Sequence, residues 1–467
     1  MNRHRWILLC LGSLILVSIG WMARLGDLGD RSRPMLLLWG AAHLAYLAAV
    51  WRVLRGARAA TPAPGLPAGE RSPGPGRGAL PIVLAVGLIA RALLIPAAPT
   101  LSEDLYRYLW DGRLVAHGVN PYPHAPSWSG FAERFHGELI HHLNHADVPT
   151  IYPPAAQLLF GAVALVSATP AAWKLLLLAL EGALVLALLQ LLRRRGLPND
   201  RLLLYYWNPL VLVESFGSGH VDLVAAVFLV VTIALYEGKR PALAGIAFAL
   251  AVLTKYVPGL LIPWLVRRRA WVLLATAAVA AAILAAPFLA AGRALTTGLE
   301  IYARHWEFNG ALYHLLRETL DSEIGVRRLL ACAGLAVVFV IGWRARSASS
   351  AAFASLISFL LLSPTVFPWY VVPAVALLPL HPDWGMLAFS GLIALSYLPL
   401  PAYRETGVWS LPGWILWVEY GGLAAVWAAA AALRRSGRDV ESGARVRVDE
   451  GEHAHVEEPE QVENEKR

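Results

Sequence analysis

The sequence predicts an all-α fold, a polytopic bundle of about 14 transmembrane helices. Of its 467 residues, 57% are hydrophobic and only 15% are charged, whereas a soluble protein carries about 25% charged residues. Apolar runs long enough to cross a bilayer recur along the chain. In a bilayer, the backbone N–H and C=O groups of such runs are usually hydrogen-bonded within a helix. The net charge of +8 comes mostly from arginines at the ends of these runs. It therefore indicates membrane topology, and we predict no nucleic-acid partner.

Residues 1–58 predict two additional N-terminal spans, 6–23 and 34–51. Two arginines precede the first run, which is long and is not followed by a small-residue cleavage site. We therefore expect an uncleaved span with a cytoplasmic N-terminus. The Pro/Gly-rich stretch 59–79 predicts a flexible cytoplasmic linker.

The main body is predicted to cover residues 80–433. Its first span, 80–98, delivers the polar stretch 99–153 to the extracytoplasmic side, and this stretch holds six of the fourteen histidines. The apolar run 171–192 ends in three arginines, which belong in the cytoplasm. Because that run must then cross inwards, we expect the preceding stretch 155–168 to be an interfacial or re-entrant helix.

The later spans alternate from this starting point, and their basic clusters fall on the cytoplasmic side by the same rule. Arg327 and Arg328 lie at the start of the run 326–343, on the opposite side, so the orientation of that run stays open. The polar tail 434–467 lacks periodicity and predicts cytoplasmic disorder. The predicted spans are 201–216, 221–236, two short segments around Lys255, 271–289, 326–343, 351–363, 369–380, 384–399 and 414–433.

Candidate catalytic residues lie directly after the span 80–98. Glu103 and Asp104 are adjacent, and Asp111 follows Asp104 by two helical turns, with Arg107 between them on nearly the same face. A solvated loop is the alternative, but carboxylates at a membrane edge usually mark function. We therefore predict Asp104, with Glu103 beside it, as the catalytic acidic residue.

Other polar and aromatic residues are predicted on the same extracytoplasmic face as this pair. For several of them a structural role is the alternative to substrate binding: a helix N-cap for Asp222, snorkelling to the interface for Lys255, and an interfacial aromatic belt for Trp369 and Tyr370. The loop histidines predict no metal site, and a divalent cation is the one cofactor left open. The candidate substrate-binding residues are Arg107, Asp111, Tyr152, His220, Asp222, Lys255, His305, Asn309, Trp369 and Tyr370.

Six segments within residues 80–400 carry a family resemblance. They are the acidic pair, WDGRLVAHGVNPY, IYPPAAQLLF, WNPLVLVESFGSGHVD, LTKYVPGLLIP and SPTVFPWY. Together they resemble the GT-C superfamily of integral membrane glycosyltransferases, and in particular the bacterial polyprenyl-phosphate-mannose-dependent mannosyltransferases. The resemblance implies a helical bundle with a large first extracytoplasmic loop. It also implies that Asp104 or Glu103 corresponds to the catalytic acidic residue of that loop.

The resemblance implies an inverting transfer of a hexose, mannose, from a polyprenyl-phosphate donor to a lipid or glycan acceptor of the cell envelope. The enzyme would lie in the inner membrane of a bacterial-type cell, among membrane lipids, with an extracytoplasmic active site. A carboxylate supplies the base, and Arg107, Lys255 and Arg304 are candidate partners for the phosphate. Two alternatives remain: a secondary transporter with a His220–Asp222 proton relay, and a non-catalytic subunit of an envelope-glycan assembly system.

Overall fold

Helices make up nearly all of the regular structure in the computed structural model, which describes residues 3–59, 78–135, 137–320 and 322–452. The described chain contains no strand beyond isolated bridges at Thr365, so the predicted all-α class is confirmed. The α-helices of the first half are α1 (Arg3–Arg24), α2 (Ser32–Ala59), α3 (Leu80–Leu94), α4 (Asp104–Ala116), α5 (Ser129–Phe135), α6 (Pro154–Val166) and α7 (Pro170–Arg194).

The second half of the bundle is more broken than the first. Its elements are α8 (Leu203–Tyr206), α9 (Pro209–Val211), α10 (Asp222–Glu237), α11 (Pro241–Thr254), α12 (Ile262–Arg267), α13 (Trp271–Ala285), α14 (Ala294–His305), α15 (Ala311–Thr319), α16 (Glu323–Arg344), α17 (Ala348–Leu362), α18 (Val372–Val375), α19 (Trp384–Leu392), α20 (Leu400–Thr406) and α21 (Gly413–Glu452). Short 3-10 turns continue several of them.

The predicted count of 14 spans is not confirmed. Seven described helices are long and apolar enough to cross a membrane, and a bent pair, Pro209–Gly217 with Asp222–Glu237, would make eight. Five further apolar helices are shorter. One of them, α3, has 15 residues and is therefore about 22 Å long, against a hydrocarbon core of about 30 Å. Apolar composition alone overestimates the number of complete crossings because it does not reveal where a run breaks.

Helix α6 packs along α4 and fixes the helix that begins with Asp104. Two glycines allow the close approach: a Cβ on Gly112 would collide with the carbonyl of Phe160, and one on Gly161 would collide with Val115. At 13 residues, α6 is about 20 Å long, too short for an upright crossing. The interfacial or re-entrant position of 155–168 stays a prediction that this length favours.

The basic clusters meet at one end of the bundle, which we call the basic end. Arg195 pairs with Glu237 at 2.6 Å, and Arg268 donates to the carbonyl of Arg346 at 3.3 Å. Helix α10 has 16 residues, which places Asp222 about 24 Å from the basic end. The predicted clustering of arginines on one side is therefore present in the fold.

The position of the two arginines near the start of α16, Arg327 and Arg328, is explained in part by a local contact. Arg327 donates to the carbonyl of Trp306 at 2.8 Å and lies 3.8 Å from Glu307. Helix α16 then ends at Arg344, beside the basic end. Arg327 is therefore held by a loop at the far end of α16, so its position there does not conflict with the basic end.

The sequence predicts two regions without regular structure, the linker 59–79 and the tail 434–467, and the structure describes only part of each. The linker 59–79 falls almost wholly on residues 60–77, which lie outside the described residues. In the predicted tail 434–467, α21 continues to Glu452, and the remainder lies outside the described residues. An apolar span supplies the helical nucleus, so adding Ala, Arg and Glu residues to its end costs little free energy.

Candidate active site

A break between α9 and α10 creates the candidate site. A π-helical turn, Leu212–Gly217, leads into α10 with a bend of 119° between the flanking segments. At the bend Gly219 has φ +81°, a conformation that glycine adopts readily, and a Cβ there would collide with Leu105. Its carbonyl accepts a hydrogen bond from the Trp173 indole at 2.6 Å. Such π turns often occur at functional sites.

His220, directly after the bend, lies between two carboxylates. Its Nδ1 is 3.6 Å from Asp104 Oδ2, and its Nε2 is 3.5 Å from Glu214 Oε2. The ring is buried and stacks on Trp369 with centroids 3.7 Å apart. Both ring nitrogens are buried without a hydrogen-bond partner within bonding distance. Buried polar atoms in this condition call for a functional or structural explanation.

The acidic pair is divided between two environments. Asp104, the first residue of α4, turns toward His220 and is 26% exposed. Glu103 instead accepts a hydrogen bond from Asn144 in the following loop at 3.3 Å. Asp104 is therefore the member of the pair that the fold places in the buried cluster.

Lys255 and Asp222 form the second half of the cluster. Lys255 Nζ donates to Asp222 Oδ1 at 2.5 Å and lies 3.9 Å from the centre of the Tyr370 ring. Asp222 makes no N-cap hydrogen bond, because the cap position belongs to Val221. Ion pairing with a buried carboxylate also replaces snorkelling as the account of Lys255. Asp104 and His220 both lie close enough to Asp222 to act on it electrostatically.

Trp369 and Tyr370 also face the interior of the bundle. Trp369 is only 6% exposed and lies between His220 and Phe367, whose ring stacks on it at 4.5 Å. Tyr370 shares a 2.5 Å hydrogen bond with the Tyr302 hydroxyl. Desolvation raises the pKa of Tyr302, so this hydroxyl remains a proton donor at neutral pH. A position in an interfacial belt does not fit such burial.

Asp111 and its neighbours have a structural role: they hold the end of the long loop against α4 and α6. Asp111 is buried and accepts hydrogen bonds from Arg107 at 3.0 Å, Thr150 at 2.5 Å and Gln157 at 3.0 Å. These bonds join α4, the end of the long loop and α6. Tyr152 packs edge-on against Tyr108 at 5.0 Å. The predicted contact of Asp111 with substrate is not favoured, since both of its oxygens are already engaged.

Two further predicted residues lie apart from the cluster. His305 is exposed at the end of α14. Asn309 is buried with φ +56°, and its amide donates to Glu419 of α21 at 2.7 Å. Asn309 therefore ties a loop to the last helix, and neither residue has a described contact with Asp104 or Lys255.

Sequence reasoning missed two buried members of the cluster, Glu214 and Tyr397. The Tyr397 hydroxyl donates to Glu214 Oε1 at 2.9 Å, and both side chains are buried. The signal for Glu214 was an isolated carboxylate in the apolar run 209–216, which usually marks function in a membrane protein. Tyr397 carried no such signal, because a tyrosine in an apolar run is common.

The loop histidines pack on aromatic rings. His124 stacks on Trp128 at 3.7 Å, and His142 stacks on Tyr106 at 4.8 Å. Among the residues that the structure describes, no three His, Cys, Asp or Glu side chains come together as a candidate metal site.

The fold and site together define an integral membrane protein with a carboxylate-rich cluster at the end of its bundle opposite the arginines. The family model for the alpha-(1->6)-mannopyranosyltransferase N-terminal domain matches residues 11–275, more than half of the chain. The chain belongs to this family, so it is a glycosyltransferase and a mannosyltransferase. The predicted resemblance is confirmed, and the transporter and non-catalytic alternatives are set aside.

The matched range adds two facts about the chain. It begins at residue 11, inside α1, and includes most of α1 and all of α2. That residues 1–58 are two spans added to the core stays a prediction. The matched range also contains Asp104, Glu214, His220 and Lys255 and ends before Trp369. No curated protein matches the sequence significantly.

Proposed function

We propose that the enzyme transfers mannose from a polyprenyl-phosphate donor to a hydroxyl of a cell-envelope acceptor, with inversion, and that Asp104 is the general base. The observation that carries this proposal is the position of Asp104. It is partly exposed, whereas Glu214 and Asp222 in the same cluster are buried. Asp104 is therefore the carboxylate of the cluster that an acceptor hydroxyl can reach.

The chemical step is a single displacement. The acceptor oxygen bonds to the anomeric carbon while its proton passes to Asp104, and the bond from that carbon to the phosphate oxygen breaks with its electron pair. This needs one essential carboxylate, unlike the paired carboxylates of glycoside hydrolases. A positioned base typically contributes about 10²–10⁴ in rate. An alpha product formed with inversion requires a beta-linked donor.

Lys255 is proposed to bind the donor phosphate. Its side chain is 21% exposed, so it can reach a ligand while Asp222 holds it in place. Lysine binds phosphate as a point charge, and arginine can bind it in a bidentate manner. Arg107 is a second candidate, because its Nη2 is buried without a hydrogen-bond partner. A cation here would stabilise the phosphate as it leaves.

The site is proposed to face the extracytoplasmic side of a bacterial inner membrane. The basic end marks the cytoplasmic side by the positive-inside rule, and Asp222 lies a full helix away from it. A lipid-linked donor would then approach from the bilayer to a site at the membrane edge.

The proposal is tested by transfer from radiolabelled polyprenyl-phosphate mannose in detergent. We expect Asp104→Asn to remove transfer while the yield and melting temperature stay near those of the wild type. Glu103→Gln should lose less, since Glu103 points to Asn144. Full activity of Asp104→Asn, or inactivity of Glu103→Gln alone, would show that the base is assigned to the wrong residue.

Sidedness is tested with single cysteines and a membrane-impermeant maleimide in intact cells stripped of outer barriers. The native Cys10 and Cys332 are exposed on apolar helices and are first replaced by serine and alanine. We expect labelling at Ser127→Cys in the long loop and none at Arg193→Cys at the basic end, both of which are exposed positions. The reverse pattern would place the site in the cytoplasm.

A further inference from the structure

A chain of four side chains leads from the interior of the bundle to the proposed base. The Tyr397 hydroxyl donates to Glu214 Oε1 at 2.9 Å. Glu214 Oε2 faces His220 Nε2 at 3.5 Å, and His220 Nδ1 faces Asp104 Oδ2 at 3.6 Å. The four residues come from different elements: a 3-10 turn, the π-helical turn, the bend and the start of α4. Only the tertiary fold brings them into line.

The two contacts of His220 have no competing partner. Both ring nitrogens and Glu214 Oε2 are buried without another hydrogen-bond partner. Each gap would have to shorten by roughly half an ångström to become an ordinary hydrogen bond. Contacts at active sites are commonly long before substrate binds and tighten in the complex. Stacking on Trp369 fixes the plane of the ring, so each nitrogen faces one carboxylate.

Burial decides which of the three titratable groups, Glu214, His220 and Asp104, carries the negative charge. When one proton lies in each of the two His220 contacts, the three groups together carry a single negative charge, whichever atom of each contact holds the proton. Removing a further proton would bury a second negative charge beside Asp222, which is costly in an apolar interior. The exposed fractions are 0% for Glu214, 1% for His220 and 26% for Asp104. Hydration therefore favours placing the charge on Asp104.

We propose that His220 and Glu214 are positioning residues that hold Asp104 as a charged, oriented base. His220 Nδ1–H donates to Oδ2 of Asp104 and leaves the other oxygen for the acceptor hydroxyl. Glu214, fixed by Tyr397, sets the tautomer of His220 through Nε2. This role replaces the sugar contact predicted for His220, and it rests on the proposed function of Asp104.

Other titratable groups surround this chain and share its electrostatic field. Asp222 acts on both Glu214 and His220, and Lys255 offsets the charge of Asp222. Four tyrosines lie close enough to Asp104 to interact with it electrostatically: Tyr108, Tyr152, Tyr302 and Tyr370. The variants below leave all of these groups unchanged.

Glu214 offers a test that separates positioning from proton transfer. A Gln amide can still hydrogen-bond His220 Nε2, whereas a leucine of similar volume cannot. We expect Glu214→Gln to keep kcat within about threefold and Glu214→Leu to lose about 10- to 100-fold, since misplacing a reacting group by 1 Å costs up to about 10² in rate. The donor KM should stay unchanged in both. Equal losses in the two variants would overturn the proposal.

His220→Phe supplies a second readout, because it keeps the ring stacked on Trp369 but removes both nitrogens. Without the donor that favours the charged form of Asp104, the acid limb of the pH–rate profile should move to higher pH. Glu419→Leu is the matched control for Glu214→Leu: it removes another buried carboxylate, one that is bonded to Asn309, and should leave both kcat and the acid limb in place.

The outcomes distinguish the two proposals. If Asp104→Asn remains active, the proposed function fails first. If Asp104→Asn is inactive while His220→Phe and Glu214→Leu keep the wild-type pH profile and kcat per folded enzyme, only the positioning role fails. Melting temperatures of all variants separate loss of folded protein from loss of rate.

Discussion

Two buried ion-pair clusters in the bundle differ in how completely their polar atoms are paired. In the first, which we call the Arg91 cluster, Arg91 binds both carboxylate oxygens of Glu181 at 2.5 and 2.6 Å and donates to two backbone carbonyls. The Tyr205 hydroxyl donates to the same carboxylate at 2.6 Å. In the second, around His220, both ring nitrogens and one oxygen each of Glu214 and Asp222 have no hydrogen-bond partner.

This difference distinguishes a structural cluster from the proposed active site. A saturated ion pair such as Arg91–Glu181 has no capacity left for a ligand, and it joins α3 to α7. An unsaturated cluster costs free energy in the folded state, and this cost is expected where the missing partners come from substrate. Burial of the central residues does not distinguish the two, because His220, Glu214 and Asp222 are as enclosed as Arg91 and Glu181.

The largest expected effect comes from breaking the Arg91 cluster. Glu181→Gln leaves the guanidinium of Arg91 buried without a counter-charge, which should lower the free energy of unfolding by about 3–5 kcal/mol. The thermal midpoint in detergent measures this loss. The double variant Arg91→Met, Glu181→Leu removes both charges and should recover most of it. Normal stability of Glu181→Gln would contradict the structural assignment.

Asp111 provides a second test of a saturated carboxylate. Asp111→Asn turns one of the oxygens that accept from Arg107, Thr150 and Gln157 into a donor. We expect about 1.5–3 kcal/mol of lost stability, the usual range for hydrogen bonds to charged groups, with an unchanged donor KM. Asp147→Asn, an exposed loop position, is the control. A raised KM with full stability would restore Asp111 as a substrate-binding residue.

Lys255 tests the unsaturated cluster from its cationic side. Lys255→Met keeps the apolar stem and deletes the charge, so the donor KM should rise by about tenfold or more while the acceptor KM stays unchanged. Lys174→Met is the control, because Lys174 is a buried lysine that bonds only the carbonyls of Ala97 and Leu94. An unchanged donor KM in Lys255→Met would leave Lys255 with a structural ion pair only.

The smallest expected effect concerns the stack beneath His220. Trp369→Phe reduces the ring area that holds the imidazole, and aromatic pairs contribute about 0.5–1.5 kcal/mol beyond burial. This corresponds to a fall in kcat of about two- to tenfold. Trp264→Phe alters a ring pair with Tyr236 near the basic end and should change kcat less. Equal effects of the two variants would argue against a specific role for the stack.

The sequence by itself determined the class of the protein and indicated the region of the candidate site. Hydrophobic content requires helices in a bilayer, and arginine clusters mark one end of the bundle, because these effects depend on composition and on distance along the chain. The same reasoning located Asp104, Asp222 and Lys255, since a charged side chain beside apolar runs is conspicuous in any fold. It also carried the resemblance that the family match confirms.

Only the tertiary structure decided which charged groups lie together. Glu103 and Asp104 are neighbours in sequence, yet one bonds a loop asparagine and the other faces His220. The π-helical turn places Glu214 in the candidate site, although the sequence did not single it out. Asp111 was predicted to contact substrate, but its oxygens bond residues that are distant in sequence. Hydrogen bonding acts over about 3 Å, and sequence separation does not report distances on that scale once helices bend and pack.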